Sequence, residues 1–154
     1  KPNILYGLTG WLPLQTTPEI PVTPVSEVEP ITKKQSISLE QGEVYKKIIE
    51  DHFAKNLPFL KQGYAIRNLS KEVGIPSYLL SAFINQEYGK NFSEFVNENR
   101  ISYLIEFTEQ NPDSLLQYTL EVLGQMGGFT SRAAFIAAVK RKTGKPPSEI
   151  FGKK

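Results

Sequence analysis

Cationic and hydroxyl side chains cluster after a glycine pair near the C-terminal end of the chain. Gly127 and Gly128 break an apolar run, and Ser131 follows, where its hydroxyl can cap a new helix. The cations that accompany this helix are Arg132, Lys140, Arg141 and Lys142. Guanidinium and ammonium groups donate hydrogen bonds to phosphate oxygens, and arginine can also bind the edge of guanine. These residue types therefore predict a surface for a phosphate-bearing partner.

The same stretch predicts two short helices separated by a turn. Leu123 and Met126 are apolar positions of the first helix, and Phe135 and Val139 form a one-sided apolar stripe on the second. Gly144 stops the second helix, and the prolines that follow bar its continuation. Two helices around a glycine turn, with basic, small and hydroxyl residues outside, predict a helix-turn-helix. The second helix of that motif enters the major groove of DNA.

Composition excludes several other kinds of site. The chain has 154 residues, of which 40% are hydrophobic, enough for the core of one domain or two small ones. It has no cysteine and a single histidine, His52, which excludes disulfides, thiolate zinc sites and histidine-cluster metal sites. Since no nucleophile–base pair and no phosphate-cradling loop is present, we expect neither catalysis nor a cofactor nor a metal. No stretch approaches the ~20 apolar residues of a membrane span.

Positive charge gathers at the C-terminal end. Residues 1–35 carry three lysines and three acids, and residues 36–112 carry eight basic and ten acidic side chains. Residues 113–154 carry seven basic and three acidic side chains, a net charge of +4. This excess favours an anionic partner such as a phosphate backbone. An ordinary solvated basic face is the alternative.

Residues 1–35 predict an extended, proline-rich linker segment ahead of the folded domain, residues 36–154. Its punctuating prolines are Pro13, Pro18, Pro21, Pro24 and Pro30. Residues 4–14, ILYGLTGWLPL, are apolar and uncharged, which suits a bilayer interface or a protein groove. Packing back onto the domain is the alternative. Because the chain begins with Lys1 rather than methionine, we expect a fragment of a longer protein.

The remaining sequence predicts helices throughout, so the expected fold class is all-α. Ser38 and Gln41 match the Ser-x-x-Gln capping box at the start of a helix over residues 36–56, which Pro58 ends. The expected inward stripe of this helix comprises Val44, Ile48, Ile49 and Phe53. A long helix is predicted over residues 92–110, and Thr119 is a candidate cap for the helix after it.

Residues 66–88 predict a second helix-turn-helix. Gly74 turns the chain, and Pro76 begins the next helix, where a missing N–H does no harm. Leu80 and Ile84 point inward and Gly89 closes the helix. The residues expected outside are Tyr78, Ser81, Asn85 and Gln86. This helix thus has a polar outer face.

The two helix pairs look like copies of one unit. The first copy contributes Leu69, Gly74, Ile75, Pro76, Leu80, Ile84 and Gly89. The aligned residues of the second copy are Leu123, Gly128, Phe129, Ser131, Phe135, Val139 and Gly144. Two units with matched cores and different outer faces are predicted to bind different parts of one extended ligand. Chance similarity of apolar spacing is the alternative.

These motifs resemble the DNA-binding domain of AraC-type bacterial transcription regulators, over about residues 38–151. The downstream half carries Gly128-Phe129-Thr130-Ser131, the Phe135 and Val139 pair, and Gly144-Lys145-Pro146-Pro147. The upstream half carries Gly74-Ile75, Leu80, Ile84, Gly89, Phe92 and Arg100. The resemblance implies a seven-helix domain, with helix-turn-helix units at about 66–88 and 119–143 joined by a linker helix at about 92–110. It also implies that the two recognition helices enter successive major-groove segments of DNA.

Three positions depart from the family pattern, and at one of them Pro76 replaces the usual capping serine. Members often place arginine or another long polar residue where this chain has Ala82 and Ala137. Alanine can touch a thymine methyl group but cannot donate a hydrogen bond to guanine. Specificity is therefore expected to depend on the polar side chains of both helices and on DNA shape. The predicted DNA-contacting residues are Ser77, Tyr78, Ser81, Ala82, Asn85, Gln86, Ser131, Arg132, Ala133, Ala134, Ala137, Lys140 and Arg141.

The resemblance also implies partners and a location. Double-stranded promoter or operator DNA and RNA polymerase are the expected partners, with a sensor domain before Lys1 that is either soluble or membrane-embedded. The cytoplasm is the expected location, with membrane anchoring through the region before Lys1 left open. Arg100 is expected to tie the linker helix to a helix-turn-helix, through an internal salt bridge or by capping carbonyls, and a solvent-exposed side chain is the alternative. The alternative function is a helical protein-interaction module of a signalling protein, docking through Ala134, Ala137 and Ala138.

Overall fold

The computed structural model describes residues 36–152, and this part of the chain is all-helical. Its elements in order are α1 (Leu39–Asn56), a 3-10 turn (Pro58–Leu60), α2 (Ile66–Val73), α3 (Ser77–Tyr88), α4 (Phe92–Gln110), α5 (Ser114–Gln117), α6 (Leu120–Met126), α7 (Arg132–Thr143) and α8 (Pro147–Ile150). The predicted all-α class is confirmed for these residues. The linker segment predicted for residues 1–35 lies outside them. No helix within residues 36–152 has the length and apolarity needed to cross a membrane.

Local sequence signals set most of the helix ends. The Ser38 hydroxyl accepts the N–H of Gln41 at 3.3 Å and caps α1, and Thr119 caps α6 in the same way. The observed bounds of α2, α3 and α4 agree with the prediction. The short helices α5 and α8 were not predicted, because four residues are too few to show an apolar period. With α5, the described residues hold eight α-helices, one more than the resemblance implies.

The apolar side chains form two clusters, one in each half of the described residues. In the first, the ring of Phe53 lies 5.4 Å from the rings of both Phe59 and Phe95, measured between centroids. In the second, Phe135 packs against Phe129 at 5.4 Å and Phe151 at 5.9 Å. Offset and tilted aromatic pairs of this kind add about 0.5–1.5 kcal/mol each beyond the burial of their area. Each half therefore has a core of its own.

Helix α4 is a wall of both cores. Its first half contributes Phe95 and Val96 to the first cluster, and its second half contributes Ile101 and Leu104 to the second. Tyr103 packs against both clusters. A single 19-residue helix thus spans the two halves, as the sequence predicted for residues 92–110.

The inner face of α1 is narrower than the sequence predicted. Ile49 and Phe53 are buried, but Val44 is 52% exposed and Ile48 is 37% exposed. At about 100° per residue, Val44 stands about 140° around the helix from Ile49, which is too far to reach the same core. The predicted stripe is therefore wrong for Val44 and Ile48.

Backbone contacts join the two halves at the second glycine turn. Gly128 has a φ of +85°, and a Cβ at this position would stand 2.6 Å from the carbonyl oxygen of Leu60. A Cβ on Gly127 would stand 2.6 Å from Cδ1 of Leu104. The Gln62 amide donates to the carbonyl of Phe129 at 3.4 Å. We call this contact between residues 59–62 and 127–129 the interunit seam.

Arg100 of α4 lies within the interunit seam and is only 8% exposed. Its Nε donates to the carbonyl of Phe59 at 2.6 Å, and its Nη2 donates to the carbonyl of Lys61 at 3.0 Å. Its Nη1 donates to Asn97, and the guanidinium carbon lies 5.3 Å from the ring centroid of Phe129. Burial lowers the pKa of Arg100, although an arginine stays protonated in such a site. Of the two predicted roles, the structure shows carbonyl capping.

A hydrogen-bonded cluster around Glu72 ties α1 to α2. One oxygen of this carboxylate lies 2.8 Å from Nε2 of His52 and accepts the hydroxyl of Tyr64 at 2.6 Å. The other lies 3.7 Å from the ammonium of Lys61. The second ring nitrogen of His52 lies 3.0 Å from the amide of Asn56. The single histidine of the chain is therefore part of a structural cluster.

The Glu72 cluster predicts a pH-dependent contribution to stability. Burial raises the pKa of Glu72, but the hydrogen bonds from Tyr64 and His52 and the charge of Lys61 outweigh this effect and lower the pKa from its ordinary value. A carboxyl group whose pKa is lowered by folding stabilises the fold at pH values above its ordinary pKa. This contribution is lost as the pH falls through the lowered pKa. The difference in unfolding free energy between wild type and Glu72→Gln should therefore be larger at about pH 7 than at about pH 3. Chemical denaturation at both pH values measures it.

Glu40→Gln is the control for this comparison, because Glu40 is exposed and makes no ion pair with any described residue. Its difference from wild type should be small at both pH values. A Glu72→Gln difference that stayed constant between the two pH values would contradict the prediction.

Candidate nucleic-acid interface

The outer face of α3 carries polar and aromatic side chains. Tyr78 is 62% exposed, and Ser81 and Asn85 are exposed along the same face. Of the other predicted contacts on this helix, Ser77 and Ala82 are half-buried, and Ala82 packs against the first core cluster. Hydroxyl and carboxamide groups can bind phosphate oxygens or the edges of bases. The predicted contacts on α3 that remain exposed, and are not bonded elsewhere in the domain, are therefore Tyr78, Ser81 and Asn85.

Gln86 is already engaged within the domain. Its carboxamide accepts the N–H of Ile37 at 3.1 Å and donates to the carbonyl of Ile37 at 3.0 Å. These paired bonds hold Ile37, which lies two residues before α1, against α3. The side chain of Ile37 is buried. The bonds to Ile37 fix the orientation of the Gln86 carboxamide and leave one N–H and one oxygen lone pair for another ligand. The sequence prediction placed Gln86 on the reading face because it showed no long-range partner for the side chain.

The outer face of α7 combines alanines with cations. Phe135 and Val139 are buried in the second core, which turns Arg132, Ala133, Ala137 and Lys140 toward solvent. The Ser131 hydroxyl accepts the N–H of Ala134 at 3.2 Å and caps the helix, as predicted. Methyl groups allow close approach, and the cations at both ends of the face offer donors for phosphate oxygens. This face is thus shallow in its middle and positive at its ends.

One flank of α7 is turned toward α4 rather than outward. A groove of about 170 Å³ between the two helices is lined by Glu94, Asn97, Glu98, Ala134, Ala137, Ala138 and Arg141. Arg141 forms a salt bridge with Glu94, and Ala134 is half-buried. A phosphate would have to compete with Glu94 for Arg141. Three of the residues predicted to contact DNA, Ala134, Ala137 and Arg141, therefore line the groove beside α4, although Ala137 is also exposed.

Each half of the described residues has four exposed cations without a described acidic partner, and in the first half these are Lys47, Lys55, Arg67 and Lys71, on α1 and α2. In the first half, three lysines are paired with carboxylates: Lys46 with Glu87, Lys61 with Glu72 and Lys90 with Glu98, at 3.1, 3.7 and 2.8 Å. The cations of the second half without a described acidic partner are Arg132, Lys140, Lys142 and Lys145. The positive excess of residues 113–154 is therefore largely available to an anionic ligand around α7.

Glu94 links α4 to α7, and the sequence did not identify it as a residue of this contact. One of its carboxylate oxygens accepts the N–H of Asn91 at 3.3 Å, and Asn91 in turn accepts the N–H of Glu94 at 2.9 Å. This capping box, Asn91-x-x-Glu94, was visible in the sequence. The bond from its other oxygen to Arg141, 47 positions away, was not visible there.

No protein-family model and no curated protein match the chain. It is similar in structure to a protein of unknown function from Listeria innocua, with a TM-score of 0.53 and 22% sequence identity. The match covers 70% of this chain and 94% of that protein. At this identity the likeness concerns the fold alone, so a function must be argued from the surface residues.

Proposed function

We propose that this chain is the sequence-specific DNA-binding domain of an AraC-type bacterial transcription regulator. In this proposal α2 with α3 and α6 with α7 are helix-turn-helix units, and α3 and α7 enter successive major-groove segments of promoter DNA. The observation that carries the proposal is the outer face of α7, where cations without a described acidic partner flank two exposed alanines. A phosphate backbone is the ligand that such a face fits best.

The two helices divide the work of binding. Helix α7 anchors the domain, because Lys140, Lys142 and Lys145 neutralise phosphates and Ala133 and Ala137 let the helix approach the groove closely. Phosphate contacts fix register but carry no sequence information. Arg132, at the start of α7, binds a phosphate or the edge of a guanine.

Helix α3 supplies most of the base recognition. Asn85 can pair with adenine, and Tyr78 can contact a thymine methyl or a phosphate. Since Ala82 and Ala137 offer only methyl groups, DNA shape contributes the remaining specificity. This division explains why the positive excess is confined to one half of the domain.

The interunit seam supports this mode of binding. Two recognition helices can address one DNA duplex only if their relative orientation is held. Arg100 and Gly128 connect the 3-10 turn of the first half to the glycine turn of the second. We infer that the seam orients both helices before DNA is bound, so that little ordering cost is paid on binding.

The alternatives have less support. A protein-interaction module that docks through the alanine face would need Ala134 and Ala138, but both are half-buried beside α4. Catalysis would need a free base, and His52 is bound to Glu72 and Asn56. We therefore propose binding rather than catalysis, in the cytoplasm, with RNA polymerase and an upstream sensor domain as further partners.

The proposal predicts a specific change in salt dependence. Changing Lys140, Lys142 and Lys145 to Gln should make the log–log slope of DNA affinity against salt shallower by roughly 2–3, since each phosphate contact contributes about 0.9. Affinity should fall for a selected operator and for a random duplex alike. Fluorescence anisotropy with both duplexes between about 50 and 200 mM salt measures this, after operator selection from a random library.

The matched control removes the same charge elsewhere. Lys47 and Lys55 lie on α1 and Lys71 lies on α2, and none of them forms an ion pair with a described residue, so their change to Gln lowers the net charge equally but away from α7. This variant should keep most of the salt slope. If both triple variants lost the same slope, only net charge would matter, and if wild type selected no sequence, the proposed function would be wrong.

A further inference from the structure

An open groove of about 380 Å³ lies between α1, the 3-10 turn and α4. Its lining residues on α4 are Phe95, Asn99, Ser102, Tyr103 and Glu106, whereas α7 packs beside Glu94, Asn97 and Glu98. The groove therefore lies on a different face of α4 from α7. It contains none of the residues proposed to contact DNA.

The floor of this groove is aromatic and apolar. Ile49, Phe53, Phe59 and Phe95 are each at most 8% exposed, and all of them line it. Tyr88 packs against Phe95 with tilted rings, 4.8 Å between their centroids, and is half-buried at the edge of the groove. A concave apolar surface that stays open along one side suits an elongated ligand with an apolar stripe.

Two carboxylates border the groove from opposite helices. Glu50 comes from α1 and Glu106 from α4, and neither forms an ion pair with any residue between 36 and 152. Glu106 accepts one amide hydrogen bond from Gln110 at 3.0 Å. Burial, followed by the charge of Glu50, raises the pKa of Tyr88, and the charge of Lys46 opposes this rise. No lysine or arginine occurs among the described lining residues.

We propose that this groove binds a basic amphipathic helix of a separate protein. Leucine or aromatic side chains of the partner fill the space above Phe53 and Phe95, and its lysines or arginines pair with Glu50 and Glu106. Tyr88 and Tyr103 add ring faces over which a cation is favourable. The arrangement is the helix-in-groove mode of recognition with charge complementarity at both edges.

A second copy of this chain does not offer a suitable occupant. Helix α7 carries three basic residues in its last turn, but its apolar side chains Phe135 and Val139 are at most 1% exposed in their own core. Ile136 is its one exposed large apolar side chain, at 38%, and a single such residue does not form an apolar stripe to place in a groove. Residues 4–14 are apolar, but they carry no lysine or arginine that could pair with the two carboxylates.

The test uses the full 154-residue chain and a fluorescein-labelled peptide of about 18 residues, with leucine and phenylalanine on one helical face and lysine on both flanks. Anisotropy should show saturable binding. Changing both Glu50 and Glu106 to Gln should weaken binding roughly five-fold, the combined effect of two partly exposed ion pairs. The control pair, Glu40→Gln with Glu149→Gln, removes two exposed charges outside the groove and should leave the affinity within about two-fold, since distant exposed charges are screened by salt.

A steric variant tests the location independently. Ala54 and Ser102 are exposed lining residues, so Ala54→Arg and Ser102→Arg block the groove with a repelling cation and spare the core. Each should abolish peptide binding while circular dichroism and DNA affinity stay unchanged. Absence of saturable wild-type binding, full binding by both arginine variants, equal losses in the two glutamine pairs, or equal affinity for a peptide with glutamate in place of lysine would each overturn the proposal. DNA binding is measured separately, so failure of either proposal leaves the other standing.

Discussion

Replacing Gly128 with alanine is expected to destabilise the domain far more than replacing Gly74, the aligned glycine of the first helix pair. Both residues have positive φ, +85° and +72°, and an alanine in that region costs about 1–2 kcal/mol. At Gly74 nothing stands within 4 Å of the new Cβ. At Gly128 the Cβ would meet the carbonyl oxygens of Leu60 and Phe59 at 2.6 and 2.9 Å. Forcing those backbones apart should cost a further 1–3 kcal/mol or so, as in other overpacked sites.

Chemical denaturation followed by far-ultraviolet circular dichroism compares the two variants directly. The Gly74→Ala variant supplies the cost of backbone strain alone, so the excess loss in Gly128→Ala isolates the interunit seam. The excess should appear as a lower denaturation midpoint, because both variants begin from the same fold. Equal losses at the two positions would show that the close approach of the two halves contributes nothing to stability.

Replacing Arg100 with methionine should lower the unfolding free energy by roughly 2–5 kcal/mol. Methionine retains much of the apolar volume of the side chain, so the loss reports mainly on hydrogen bonding. The carbonyls of Phe59 and Lys61 would lose charged donors at 2.6 and 3.0 Å, and an unsatisfied buried acceptor costs about 1–3 kcal/mol. The guanidinium contact with the ring of Phe129 would be lost as well. Thermal and chemical unfolding measure the difference.

The control for this variant is Arg67→Met, which removes an exposed arginine from α2. Its unfolding free energy should change by less than about 0.5 kcal/mol, as is usual for exposed positions. Well below its melting temperature, the Arg100→Met domain should bind DNA nearly as well as wild type, because Arg100 is buried away from both outer helix faces. A variant that melted normally but lost DNA affinity would make Arg100 a DNA contact instead.

Gly128 and Arg100 also show where a repeated sequence pattern is incomplete. The matched spacing of Gly74 and Gly128 predicted two turns, and in the structure both glycines have positive φ, a local property of the backbone that glycine adopts readily. The spacing gave no indication that the second turn also packs against Leu60. A glycine required by a close backbone contact cannot be distinguished in the sequence from a glycine required by positive φ. The sequence suggested two internal roles for Arg100, a salt bridge or carbonyl capping, with an exposed side chain as the alternative. Its carbonyl partners could be identified only from the position of the 3-10 turn.

Local signals in the sequence determined the helical elements of this protein. Caps, prolines and the 3.6-residue apolar period act over a few residues, so the bounds of α2, α3 and α4 and the buried faces of α3 and α7 could be predicted from the sequence. Tertiary structure alone decided which exposed polar groups remain available. Gln86 binds Ile37 and Arg141 binds Glu94, and Glu50 and Glu106 both line one groove. The two residues of each pair are 47 to 56 positions apart in the sequence. Such pairings depend on how α1, α3, α4 and α7 pack, and the period of one helix contains no information about the side chains of another.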